Sequence, residues 1–235
     1  MAVGAGCGRS LHTYGHVISA DGVLRGTTYS LAPGGDYHVA VSGDNLGIIS
    51  GDKFTPDGTN WVSVVTWMRR TSSLDPIDDA VLARATTPAE AGYPVIAATS
   101  SRYAVAWKET ATDETKALRF AEFDHEGKKI CGPVDLRKSF TSDNPEFTPV
   151  DMAIGDIGYV MLSISPVGVS SPTFEIAVVR PGCQFVERFV LEIGFAVSYG
   201  ASIVSAGNRG FAIMYTTEGD PKTTYAGTFG PHFCD

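Results

Sequence analysis

The sequence predicts an all-β fold assembled from a repeated unit of four short antiparallel strands, and three observations carry that expectation. Short runs rich in Val, Ile, Tyr, Phe and Trp recur along the chain, bounded by Gly, Pro, Asp or Asn. Glycine at 26 and proline at 13 of 235 residues supply the turns that such runs need. Hydrophobic residues reach 43% against 19% charged, which is enough to bury a core and excludes a disordered chain.

The clearest unit comprises residues 94–98 (Pro-Val-Ile-Ala-Ala), 103–107 (Tyr-Ala-Val-Ala-Trp), 117–123 (Ala-Leu-Arg-Phe-Ala-Glu-Phe) and 130–136, with Asp124 to Gly127 turning between the last two. A second unit follows in 150–154, 159–163, 174–179 and 185–191, with Arg180-Pro-Gly182 in its last turn. A third starts at 202–205, 211–215 and 224–229 and stops at Asp235. An earlier, less regular unit holds 46–50, 61–67 and 80–84. Trp67, Trp107, Ser163 and Tyr215 take matching second-strand positions 40 to 56 residues apart, the period of propeller blades. Residues 36–42 fit no unit and count as an extra strand or part of a fifth blade. The expectation is therefore a single β-propeller domain over 1–235, with four or five blades of four-stranded antiparallel sheet.

The two ends look complementary. The last unit lacks an outer strand, and residues 12–31 resemble the outer half of a blade around the turn at Ala20-Asp-Gly22. The N-terminal strand is expected to complete the last blade, closing the ring and removing exposed sheet edges. That places Cys7 and Cys234 together at the seam. Cys131 and Cys183 occupy matching outer parts of adjacent units and make the second expected pair. Four cysteines without Cys-x-x-Cys spacing favour disulfides over a zinc or redox site, and hence an oxidising compartment. Residues 1–7 also resemble the tail of a lipoprotein signal, with Gly4 where Leu or Val is usual and no apolar segment before it, so lipid and disulfide both stay open for Cys7.

The formal charge of −8, from 26 acidic and 18 basic residues, argues against a nucleic-acid partner, which needs a basic stripe. The basic pairs Arg69-Arg70 and Lys128-Lys129 sit among neutral or acidic neighbours. No apolar run is long enough for a membrane span.

The run Tyr-Ala-Val-Ala-Trp-Lys-Glu at 103–109, followed by Phe-Asp-His-Glu-Gly-Lys-Lys at 123–129, resembles the repeats of bacterial exported β-propellers. The resemblance is close over 93–136 and weakens across 150–193 and 200–235. It implies a propeller and export, and no activity. Residues 55–61 (Thr-Pro-Asp-Gly-Thr-Asn-Trp) resemble the Asp-box of sialidase-type propellers, one residue short between Asp57 and Trp61 and without a second copy. Asp-boxes are structural turns and imply no active site.

Catalytic signatures are absent: no Gly-x-Ser-x-Gly elbow, no His-Glu-x-x-His, no phosphate loop. No catalytic residue, metal ligand or cofactor is expected. His12 and His16 share a strand face and are expected to be ordinary surface histidines. Carboxylates gather in the expected second-to-third-strand loops: Asp75, Asp78 and Asp79, then Asp113 and Glu114, then Glu218 and Asp220. Such loops share one face of a propeller, so these residues form a candidate acidic rim, with loop solubility as the plainer explanation. Trp67 and Trp107 are expected in the core between blades. Trp61, at a strand entry beside a polar loop, is the candidate stacking platform for a ligand, with Tyr199 a weaker one.

The function expected is a non-enzymatic extracytoplasmic binding or scaffolding module for a protein partner or a glycan. The alternatives are a glycoside-active enzyme using loop carboxylates at the channel mouth and a structural subunit of a larger surface or secreted assembly.

Overall fold

The computed structural model describes residues 12–18, 24–33, 36–56, 58–136, 148–164, 173–192, 197–207, 210–217 and 223–229. Among them it is all-β, without α-helix. β1 (His12–Ile18) and β2 (Leu24–Pro33) pair with each other alone. The first four-stranded sheet is β3 (Asp36–Ser42), β4 (Asn45–Phe54), β5 (Val62–Thr71) and β6 (Pro76–Thr86). The second is β7 (Glu90–Ala98), β8 (Arg102–Thr110), β9 (Lys116–Asp124) and β10 (Lys129–Asp135). The third is β11 (Thr148–Gly155), β12 (Gly158–Ile164), β13 (Thr173–Arg180) and β14 (Gln184–Glu192). A three-stranded sheet follows: β15 (Val197–Ser205), β16 (Phe211–Thr217) and β17 (Thr224–Phe229).

Every sheet is an antiparallel meander, and the first strands stand beside one another in succession, β3 to β7 to β11 to β15. The pairings hold no strand of 12–33 beside β17, so the expected ring closure is not among them. No helix among the described residues is long and apolar enough to cross a membrane.

Stacking sheets face on face explains why the middle strands are apolar without interruption. Residues 103–107 of β8 are all buried, yet they serve two cores. Tyr103, Val105 and Trp107 meet Ile49, Val65 and Trp67 of the first sheet. Ala104 and Ala106 meet Met152, Tyr159 and Met161 of the third. β12, buried along its whole length, repeats the device, with Val160 and Leu162 turned toward Ile203 and Phe211 of the last sheet. Period-2 alternation thus sorts side chains between two interiors rather than between core and water. The expected core tryptophans fit this scheme: Trp67 stacks on Phe123 at 4.4 Å and meets Tyr103 edge-on at 5.8 Å. Gly47 permits the close approach, since a Cβ there would lie 2.6 Å from the Tyr103 ring.

One expectation is corrected. Residues 36–42 are the first strand of the first sheet, so Trp67 lies on its third strand and not in the second-strand position of Trp107. Asp75 consequently sits in a third-to-fourth-strand turn. Asp78 and Asp79 are not in a loop at all; they lie within β6, where they answer Arg69 and Arg70.

Two ionic locks, each centred on a buried charge, tie the first sheet to a turn of the second and the second to a turn of the third. Arg69, 7% exposed, donates from Nε to Asp78 Oδ1 at 2.9 Å and from Nη2 to Asp78 Oδ2 at 2.6 Å, while Nη1 reaches the His125 carbonyl at 2.7 Å in the β9–β10 turn. The guanidinium lies against Gly127, where a φ of +87° and the 2.6 Å that would separate an added Cβ from Nε leave no place for a side chain. Glu122 of β9, fully buried, forms the second lock. Its Oε1 accepts from Arg102 Nη1 at 2.9 Å and from Tyr159 Oη at 2.8 Å, and its Oε2 accepts from the Gly182 amide at 2.6 Å in the β13–β14 turn. The same turn carries Cys183, which is disulfide-bonded to Cys131 as the sequence led us to expect. Cys7 and Cys234 lie outside the described residues.

Burial, then the hydrogen bond to Glu122, holds the Tyr159 phenol far above the ordinary tyrosine range, and burial raises Tyr103 as well. A phenol whose folded-state pKa is raised contributes fully below its unfolded value, about 10, and loses that contribution as pH climbs beyond it. The urea midpoint is therefore expected to hold steady through neutrality and fall from about pH 10 upward. Tyr159→Phe should start lower but fall less steeply. Equal slopes for the two proteins would remove Tyr159 from the explanation.

Candidate functional site

Antiparallel alternation gives the molecule two unlike ends. One end carries tight turns: 43–44, 99–101, 125–128, 156–157 and 181–183. The other gathers 55–56, 58–61, 111–115 and the sheet-to-sheet connection at 87–89. Contacts between sheets confirm the alignment, with Lys53 Nζ of β4 bonded to Glu90 Oε1 of β7 at 3.3 Å and the Ala91 amide donating to Ser63 Oγ at 2.8 Å.

At the long-connection end a cleft of about 410 Å³ opens between β6 of the first sheet and the second sheet. It exists because the facing side chains there are small: Ala83 and Ala85 of β6 stand opposite Ala91 and Ala117, where Trp, Tyr and Phe fill the same interface farther in. Its polar wall is one continuous arrangement on the face of β8, β9 and β10. Register places Trp107 beside Arg119 and Arg119 beside Asp135, with Glu109 beside Ala117 one row on. Glu109 Oε1 accepts from Trp107 Nε1 at 2.7 Å, and its Oε2 accepts from Arg119 Nε at 3.0 Å. Arg119 Nη1 stands 4.0 Å from Asp135 Oδ2. Arg119 and Glu109 are each about one-third exposed, so both meet solvent within the cleft.

The sequence-predicted residues divide around this site. Trp61 stands at the same end, 49% exposed. Its carbonyl accepts from Thr87 N at 2.9 Å and Thr87 Oγ1 at 3.1 Å, two residues before cleft-lining Ala89. Lys53 Nζ lies 6.0 Å from its ring centroid and bridges to Glu90 on the cleft lip.

Asp113 and Glu114 lie in the β8–β9 connection, whose Ala111 and Thr115 line the cleft. Asp113 shapes that turn: its Oδ1 accepts the Thr115 amide at 2.9 Å, and hydrogen bonding from Thr115 holds its carboxyl below the usual range. Glu114 takes a left-handed φ of 65°. Asp75 belongs to the opposite, tight-turn end, so the acidic rim expected to unite it with Asp113 and Glu114 does not form.

Glu218 and Asp220 lie outside the described residues, as do the side chains of His12, His16 and Tyr199. Among the described residues no group of three His, Cys, Asp or Glu could hold a metal ion.

Glu109, Arg119 and Asp135 were not singled out in the sequence. The available signal was Trp107-x-Glu109, a carboxylate two residues on from a core indole and hence on its face. No protein-family model matches the chain, and no curated protein matches it.

Proposed function

We propose that this chain is a β-propeller of four or five blades that works outside the cytoplasm as a non-enzymatic binding module, taking its ligand at the long-connection end. The observation that carries the binding role is the cleft wall itself. Glu109 holds an indole and a guanidinium, and that guanidinium also faces Asp135. Glycoside hydrolysis asks for two carboxylates left to exchange protons and attack, whereas these are fixed hydrogen-bonding groups of the kind that orient a ligand. The succession β3, β7, β11, β15 supports the propeller. The Cys131–Cys183 bond supports export.

A second reading, a subunit of a larger assembly, has its own support. The fourth strands expose Ile77, Val81, Ile130, Val186 and Val190 along the outer edges of three sheets. Native size measured on protein isolated from its source separates the two. A monomer whose ligand binding is abolished by Ala111→Trp, placed at the exposed rim of the cleft, is the expected result. A stable complex unaffected by that substitution would make the protein an assembly subunit instead.

A further inference from the structure

The lining of the cleft selects among ligand chemistries. Methyl groups line both sides, Ala83 and Ala85 on β6 and Ala91 and Ala117 on the second sheet, and Arg84 of β6 also lines the cleft. The charges of the second sheet are already engaged: Arg119 with Glu109 and Asp135, and Glu90 with Lys53. An anionic ligand would meet three carboxylates, Glu90, Glu109 and Asp135, against two arginines, Arg84 and the already engaged Arg119. A cationic ligand would have to displace Arg119 or Lys53 from its carboxylate. A neutral hydroxyl does neither, because it donates to a carboxylate and accepts from a guanidinium in the same place. Several such hydroxyls on a compact ring match a wall of alternating carboxylate and guanidinium.

Beside the lip, the Trp61 ring remains half-exposed although Lys53 lies near it. A large exposed indole on a backbone held by Thr87 offers an apolar platform for the C–H face of a sugar ring.

We propose that this cleft is a saccharide site for a neutral oligosaccharide, with Trp61 as the stacking platform and Glu109, Arg119 and Asp135 as the edge that reads hydroxyl groups. The inference rests on the binding-module reading and names the ligand class of the same site.

An array of neutral, acidic and amino-bearing oligosaccharides tests it, followed by calorimetric titration of the best-retained neutral compound. Neutral compounds are expected to be retained over acidic ones. Trp61→Ala should weaken binding about tenfold, the loss of one aromatic contact, with an unchanged circular dichroism spectrum because the side chain is half-exposed. Ala111→Trp should abolish it. Retention of acidic compounds alone would overturn the assignment. So would neutral binding that ignores both substitutions, since the site would then lie elsewhere. A blank array combined with a purified protein partner displaced by Ala111→Trp would sink the saccharide and leave the binding module standing. Failure of both kinds of ligand would overturn the two together.

Discussion

Glu122→Ala is expected to lower the free energy of unfolding by about 3–5 kcal/mol, the usual result of breaking a buried ionic arrangement by removing one member. The stranded charge is the smaller part of the loss, because the Arg102 side chain is 41% exposed and can turn to water. The larger part is the Tyr159 hydroxyl and the Gly182 amide, which lose a charged acceptor. Each is worth about 1.5–3 kcal/mol as a hydrogen bond to a charged group. Glu122→Gln keeps an acceptor oxygen in nearly the same volume and should cost less, about 1–2 kcal/mol. Chemical denaturation of the three proteins checks the order. Losses below 1 kcal/mol for both variants would mean that Glu122 does not hold the second and third sheets together.

Glu122 also shows how a sequence conceals such a lock. It lies in the run Ala-Leu-Arg-Phe-Ala-Glu-Phe at 117–123, which is correctly legible as a strand. Leu118 and Phe120 face the third sheet, and Glu122 is the next residue on that face. A carboxylate in an apolar series was therefore visible as an anomaly, but its partners were not. Arg102, Tyr159 and Gly182 come from three other places in the chain, and only the stacking of two sheets brings them to one carboxylate. Arg69 follows the same rule two residues after Trp67, where the sequence shows only half of a basic pair and the fold buries it against Asp78 and Gly127.

Strands were more legible than their ordinal places. The strands within 94–136 and 150–191 form the expected four-strand meanders, because the turns at Asp124 to Gly127 and at Arg180 to Gly182 mark the third-to-fourth-strand hairpins. The first sheet was shifted by one strand. Residues 61–67 carry the same aromatic and β-branched pattern as 103–107, so Trp67 imitated Trp107, and the short run at 36–42 was left over. Periodicity identifies a strand without stating which neighbour it pairs with. That shift moved Asp75 to the wrong end of the molecule and left Trp61 at the right one, since Trp61 enters β5 from the connection after β4. The cleft was hidden for a different reason. Its floor is alanine, which signals nothing in a sequence, and its charged wall depends on the register of β8, β9 and β10.

Removing the Cys131–Cys183 bond, by Cys131→Ala with Cys183→Ala, should cost about 4 kcal/mol, because the bond closes a loop spanning 52 residues and withdraws that freedom from the unfolded chain. Reductant should lower the wild-type unfolding midpoint to that of the double variant and leave the variant unmoved. Full alkylation of Cys131 and Cys183 in the unreduced, oxidised protein would instead show that the bond does not form. The two locks on residues 181–183 should be coupled, since Glu122 Oε2 holds Gly182 and lies 3.6 Å from Cys131 Sγ. Once either is gone, the turn is freer to leave the second sheet and the other has less to hold. Combining Glu122→Gln with the cysteine pair should thus cost less than the sum of the separate losses. A strictly additive result would place the disulfide's effect wholly in the unfolded chain, with Glu122 alone setting the turn. Protein recovered from a reducing compartment should show the lower midpoint and regain the higher one on oxidation, which ties full stability of this fold to an oxidising environment.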